Sequence, residues 1–248
     1  MDKIKMRKTQ NIATLASLVI IQFLLVMAGV KNLHANETPS AIEINNQASD
    51  LISNGNYADA LLKLNKALSM NSRFIEAYLN RAITYMYLGK YAEAEKDFLI
   101  VLRQSKKNKR QIFRGLGDSL YFQGRYSEAL KYYQKLSRYD DEKATAYRQI
   151  GQIYSMSGDT ETALEYLGRS IDIEPNYGAY IARGLVFGRL GKSRESYDDF
   201  YQAVRYNPKG SEGYEGVCTN LGYMGDFKNA LKNCNMAVKL NPKSASAY

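Results

Sequence analysis

Few side chains in this 248-residue chain are spaced for covalent chemistry. Its one histidine, His34, has no Ser-His-Asp, Cys-His or metal-ligand set to join. The two cysteines, Cys218 and Cys234, stand sixteen residues apart and could form either a disulfide or a pair of small buried thiols. Asp140, Asp141 and Glu142 form a carboxylate run, read here as a solvated loop that puts favourable negative charge at the start of the next helix. Arg103, Lys106, Lys107, Lys109, Arg110 and Arg114 are the densest cationic stretch. They suit a helix C-terminus and its loop, or else an anionic surface. These residue types point to recognition rather than catalysis; no cofactor and no metal is expected, and the chain reads as non-enzymatic.

The elements that must carry these residues repeat. Tyr78 to Val101 contains two apolar stripes, Tyr78, Ala82 and Tyr85, then Tyr91, Ala94, Phe98 and Val101, each at the spacing of one helix face. Between them lies Gly89, which can take the positive φ that ends a helix. Equivalent glycines recur at Gly55, Gly124, Gly158, Gly191 and Gly225, so that successive hinges lie 34, 35, 34, 33 and 34 residues apart. A large apolar residue precedes each glycine by eleven, a small one precedes it by seven, and Ala or Ser follows it by five. First helices are expected near 41–54, 75–88, 110–123, 144–157, 177–190 and 211–224. Their partners are expected near 57–70, 91–104, 126–139, 160–173, 193–206 and 227–240. In this register Cys218 and Cys234 fall on inward columns of the last hairpin and should be neighbours.

These columns resemble the tetratricopeptide repeat family over six units, 41–74, 75–108, 110–143, 144–176, 177–210 and 211–244, with Ala245 to Tyr248 opening a seventh. Tyr or Phe stands where the family has Trp, a residue absent from this chain. The resemblance implies an all-α, right-handed α-solenoid over 41–248, with function on the inner surface of the superhelix. Mapped onto this sequence, that surface carries Asn46, Asn80, Met86, Tyr87, Arg114, Asp118, Tyr121, Arg148, Gln149, Gln152 and Arg189. Ile181 and Leu185, then Glu212, Glu215, Thr219 and Tyr223, continue it. Arginines among aromatic, Met and amide side chains can hold an extended peptide, the cations on its acids and the aromatics on its apolar groups. Of the terminal-carboxylate clamp of chaperone-binding family members only Asn80 matches; Asn45, Ser49, Gln111 and Gly115 occupy the other places, so that activity does not carry over.

Bulk properties agree with a helical binding protein. Hydrophobic residues make up 45% of the chain and the mean hydropathy is −0.42. The formal charge is +9, of which residues 1–35 supply five basic groups and one acid, too diffuse an excess to imply nucleic acid as a partner. Lys3, Lys5, Arg7 and Lys8 precede an apolar run over 12–30, the pattern of an export signal. Ala35 suits cleavage before Asn36, although Leu33 is a poor partner two residues earlier, and the nineteen residues of the run could just span a bilayer as an anchor. Both readings place the repeats on the far side of a membrane, periplasmic, secreted or lumenal, after a linker over 36–40. Asn36-Glu37-Thr38 matches a glycosylation sequon, which matters only in a eukaryotic host. The sequence therefore suggests an exported adaptor or assembly factor that holds a protein or extended peptide. A rival is a scaffold that self-associates through an uncapped C-terminal end near Cys234, Ala237 and Val238.

Overall fold

The computed structural model describes residues 39–243. The signal or anchor over 1–35, with the apolar run 12–30 and His34, and the opening of a seventh unit at 245–248 lie outside the described residues. Within them the chain forms α1 (Ala41–Ser53), α2 (Tyr57–Met70), α3 (Ile75–Tyr87), α4 (Tyr91–Gln104), α5 (Lys109–Phe122) and α6 (Tyr126–Leu136). A 3-10 turn (Asp140–Glu142) leads into α7 (Lys143–Ser157), followed by α8 (Thr160–Ile173), α9 (Tyr177–Arg189), α10 (Ser193–Tyr206), α11 (Ser211–Tyr223) and α12 (Phe227–Leu240). No helix among the described residues is long and apolar enough to cross a membrane.

Each odd helix ends in one device. Gly55, Gly89, Gly124, Gly158, Gly191 and Gly225 all have φ between +69° and +86°. The amide after each donates to the carbonyl five residues back, as in Lys90 N to Tyr85 O at 2.9 Å and Asp226 N to Leu221 O at 2.9 Å. This six-to-one bond closes the helix and reverses the chain. A Cβ at any of these glycines would meet nothing within 4 Å, so conformation rather than space demands glycine there. Some second helices add side-chain caps: Asp159 accepts from the Thr162 amide and Asp226 from the Asn229 amide.

Hairpins stack through the columns read from the sequence. Ala48, Ala82, Ala60, Ala94, Ala129 and Ala163 are fully buried, and Leu64, Phe98, Tyr133 and Leu167 seal them. Rings are accommodated by missing side chains: a Cβ on Gly115 or Gly216 would overlap the ring of Phe98 or Phe200 from the preceding unit. Successive units also stack ring on ring, Tyr57 on Tyr87 at 4.5 Å and Tyr91 on Phe122 at 4.8 Å.

Two hairpins are also pinned by charge. Arg81 grips buried Asp97 through Nε and Nη2 at 2.7 and 3.0 Å, and Arg183 grips Asp199 in the same way at 2.8 and 2.8 Å. Each guanidinium lies near two rings of its own helix, Tyr78 and Tyr85 or Tyr180 and Phe187. The planar fork satisfies the carboxylate while the rings shield it.

The structure departs from expectation after α5. The extra residue in the 35-residue spacing is absorbed by Asn108, the one non-glycine positive φ among the described residues, at +58°. Helix α6 stops at Leu136, three residues early, because Tyr139 N and Ser137 N close the turn onto Leu136 O and Tyr133 O. The acidic run that follows is not simply solvated: Asp141 pairs with Arg110 and Glu142 with Arg114, from the first helix of the preceding hairpin. Besides standing at the start of α7, these acids tie the end of the third unit back to α5, its first helix.

Gly124→Val is expected to cost about 1 to 3 kcal/mol, since a β-branched residue is forced to φ near +75° with no steric contact to relieve or add to the strain. A thermal melt of the variant that overlays the wild type would contradict this.

Candidate functional site

First helices line the inner face because they also touch one another, α1 with α3, α3 with α5, α7 with α9 and α9 with α11. Residues at the sequence-derived groove positions project between them, and the structure assigns them different tasks. At the first junction the amide of Asn80 donates to Asn45 Oδ1 at 3.0 Å, while Asn46 is exposed. Met86 accepts from Ser119 at 3.0 Å, and Tyr87 spends one face of its ring on Tyr57. Asn80, Met86 and Tyr87 knit neighbouring units, with Asn46 and the free face of Tyr87 left outward.

The middle of the face is a polar cluster. Tyr133 donates to Asp118 Oδ1 at 2.7 Å, and Gln149 reaches the same oxygen at 3.5 Å. Burial pushes the Asp118 carboxyl above its ordinary pKa, against the opposing pull of Tyr133, Gln149, Arg114 and Arg148. Arg114 pairs with Glu142. Tyr121 meets Phe122 and Tyr126 edge to face and donates to Met156 sulfur at 3.4 Å. Burial lowers the pKa of Arg148, which makes one long bond, to Gln149 Oε1 at 3.4 Å. Gln152, one turn further along α7, is half-buried.

Beyond this cluster the face opens. A cavity of about 480 Å³ lies between α9 and α11, with Phe200 and Ser196 of α10 at its floor. Ile181, Leu185 and Tyr223 wall it, and Glu212, Glu215 and Arg189 stand at its rim. Arg189 is anchored to Ser155 O at 3.1 Å, and Glu212 accepts from the Tyr177 hydroxyl. The cavity exists because Gly184, Gly188 and Gly216 present no side chain to it. Asn220 is buried in its wall, donating to Ser196 Oγ at 2.9 Å and Gly216 O at 2.8 Å. Behind that wall Cys218 and Cys234 are joined in a disulfide, Cα to Cα 5.3 Å.

Comparison with known proteins matches this architecture. Two models described as "Tetratricopeptide repeat" match residues 73–139 and 114–178. The solved structure of PilW, titled a widely conserved type IV pilus biogenesis factor, superposes with a TM-score of 0.71 at 18% identity, covering 84% of this chain and 96% of that one. The chain is a tetratricopeptide-repeat protein. Its solenoid is also similar to the C-terminal part of a repeat protein from Cytophaga hutchinsonii, with a TM-score of 0.63 at 23% identity over 79% of this chain and 78% of that one. Among curated relatives, the BBSome complex member BBS4 homolog of Drosophila melanogaster is 21% identical over 78% of this chain and 42% of its own length. Tetratricopeptide repeat protein 6 of Homo sapiens is 24% identical over 72% and 35%. The chain thus spans well under half of these curated relatives.

Within the tetratricopeptide frame, the mapping from sequence reached nearly every side chain on the cavity rim but not the hole itself. A hole is made by absent side chains. The available signal was the coincidence of Gly184 and Gly188 on one helix with Gly216 facing them across the next.

Asp118 makes the site's electrostatics testable. Its folded-state pKa is raised, so the folded protein holds the proton more tightly than the unfolded chain. Its contribution to stability is therefore fully present below the ordinary Asp pKa of about 4 and lost as pH rises through the raised value. Asp118→Asn removes that loss. Its stability relative to wild type, from urea denaturation, is expected to improve between pH 4 and pH 7; a difference independent of pH would show that burial does not dominate at this carboxyl.

Proposed function

We propose that this tetratricopeptide-repeat protein is a non-enzymatic adaptor or assembly factor that holds a protein segment along its concave face. The observation that carries the reading is the graded inner surface, in which cations and amides over α5 and α7 give way to an open apolar cavity between α9 and α11. Such a surface recognises an extended chain by its side chains, with arginine on acids and the cavity on apolar groups. Similar proteins include a BBSome complex member and a pilus biogenesis factor, which agrees with a role in assembly. We further propose that it works outside the cytoplasm. The cationic start and apolar run of residues 1–30 support this, as does the Cys218–Cys234 disulfide, a bond that persists in oxidising compartments.

The test is direct. Peptides selected by display on the immobilised full chain are expected to bind the Arg114→Ala, Tyr121→Ala, Arg148→Ala triple variant at least about tenfold more weakly, with helicity unchanged by circular dichroism. Equal affinity for the two proteins would remove the concave face from the function.

A further inference from the structure

Arg148 is provided for differently from several other arginines of the first helices. Arg81 and Arg183 each have a bidentate aspartate, and Arg114 has Glu142. Among the described residues no carboxylate lies within 4 Å of the Arg148 guanidinium; its one hydrogen bond is the 3.4 Å contact to Gln149, through which Asp118 acts on it from farther off. One turn further along α7, Gln152 has no hydrogen-bond partner among the described residues. A half-buried guanidinium with most of its five donors unused, beside an unused amide, suits an incoming carboxylate.

The position of Arg148 ties that carboxylate to the cavity. Its stem crosses to the next first helix, where a Cβ on Gly178 would stand 3.6 Å from Cδ and 3.7 Å from Nε. Gly178, Ile181 and Leu185 follow one another at the spacing of a single stripe on α9, so Arg148 stands at one end of the stripe and the cavity at the other. The three to seven residues between them correspond to about 5 to 11 Å along the helix, and the cavity is offset sideways by about half of an interhelix distance of 8–10 Å. Together these give a separation of about 7 to 12 Å, or two to four residues of extended peptide. Glu212 and Glu215 edge the α11 side of the cavity, Glu212 accepting from Tyr177 near the Arg148 end, and Arg189 stands at the other end of the stripe.

Resting on the concave-face reading above, we propose that this half of the groove selects a peptide segment in which an acidic side chain stands two to four residues from a large apolar one. Arg148 takes the carboxylate and Gln152 an adjacent backbone group. The apolar side chain enters the cavity onto Phe200, between Leu185 and Tyr223.

Labelled synthetic dodecapeptides of Gly, Ser and Ala, carrying one Asp and one Leu at separations of one to six in both orders, test this against the full chain by fluorescence polarisation. Binding is expected to peak at separations of two to four and to fall at least about tenfold when Asp becomes Lys or Leu becomes Ser. Arg148→Glu should reverse the preference, so that the Lys peptide binds better than the Asp peptide. Gly188→Met fills the cavity mouth at a helical, exposed position where an added Cβ meets only the Ser196 hydroxyl, at 3.3 Å, and should abolish the difference between Leu and Ser peptides. Affinity that ignores the acid, the Leu or their separation, or that survives both variants, overturns the proposal. If display-selected peptides are still lost in the triple alanine variant, the concave-face reading survives that failure; if they are not, both fall.

Discussion

The fold depends on one backbone constraint, a left-handed residue at the end of every first helix, whose following amide is bonded to the carbonyl five residues back. Because the turn is the same each time, so is the register across it. Residues sixteen apart come face to face, as in Gln47 with Lys63, Arg81 with Asp97, Arg183 with Asp199 and Cys218 with Cys234. The sequence separation of a hydrogen bond, two ion pairs and a disulfide is thus set by a conformation that none of those side chains adopts. A hinge of another length would break all four.

Packing between units follows an exchange of volume. Where the second helix of one unit offers a phenylalanine, the first helix of the next offers a glycine: Phe98 under Gly115, Phe200 under Gly216. The exchange is complete at the first of these places, where Phe98 is 2% exposed and joins a continuous core. At the second it is overdrawn, because Gly184 and Gly188 also withdraw from the seam and leave the space above Phe200 open. The cavity is therefore a local excess of the same device that lets rings into the array.

Much of this architecture was legible in the sequence because it is periodic: the glycines, the alanine columns and the ring columns report their own spacing. Helix ends were legible to within a residue or two, except at α6, where a turn over 137–139 replaces the last residues expected to be helical. The inner-face residues were legible as positions but not as roles. That Asn80 and Met86 bind neighbouring units, while Arg148 is left without a carboxylate, depends on partners 33 to 35 residues away or on their absence. The ties from Arg110 to Asp141 and Arg114 to Glu142 were hidden for the same reason, each half having an adequate local explanation as a helix-end charge. Repeats predict what every unit shares and are silent on what one unit does alone.

The disulfide bears on how the array comes apart. A linear stack has no closed core, and its outermost hairpins open first by fraying, each held on one side only. Cys218 and Cys234 close a loop of sixteen residues within the last described hairpin, and a covalent loop of that size removes about 3 kcal/mol of freedom from the opened chain. Oxidised, that hairpin resists separation of α11 from α12 and leaves the array largely as part of a larger cooperative block. Reduced, it loses that tie and its amides exchange with solvent by local opening. Since α11 also forms one wall of the cavity, the thiol state sets how persistently that wall stands when nothing is bound.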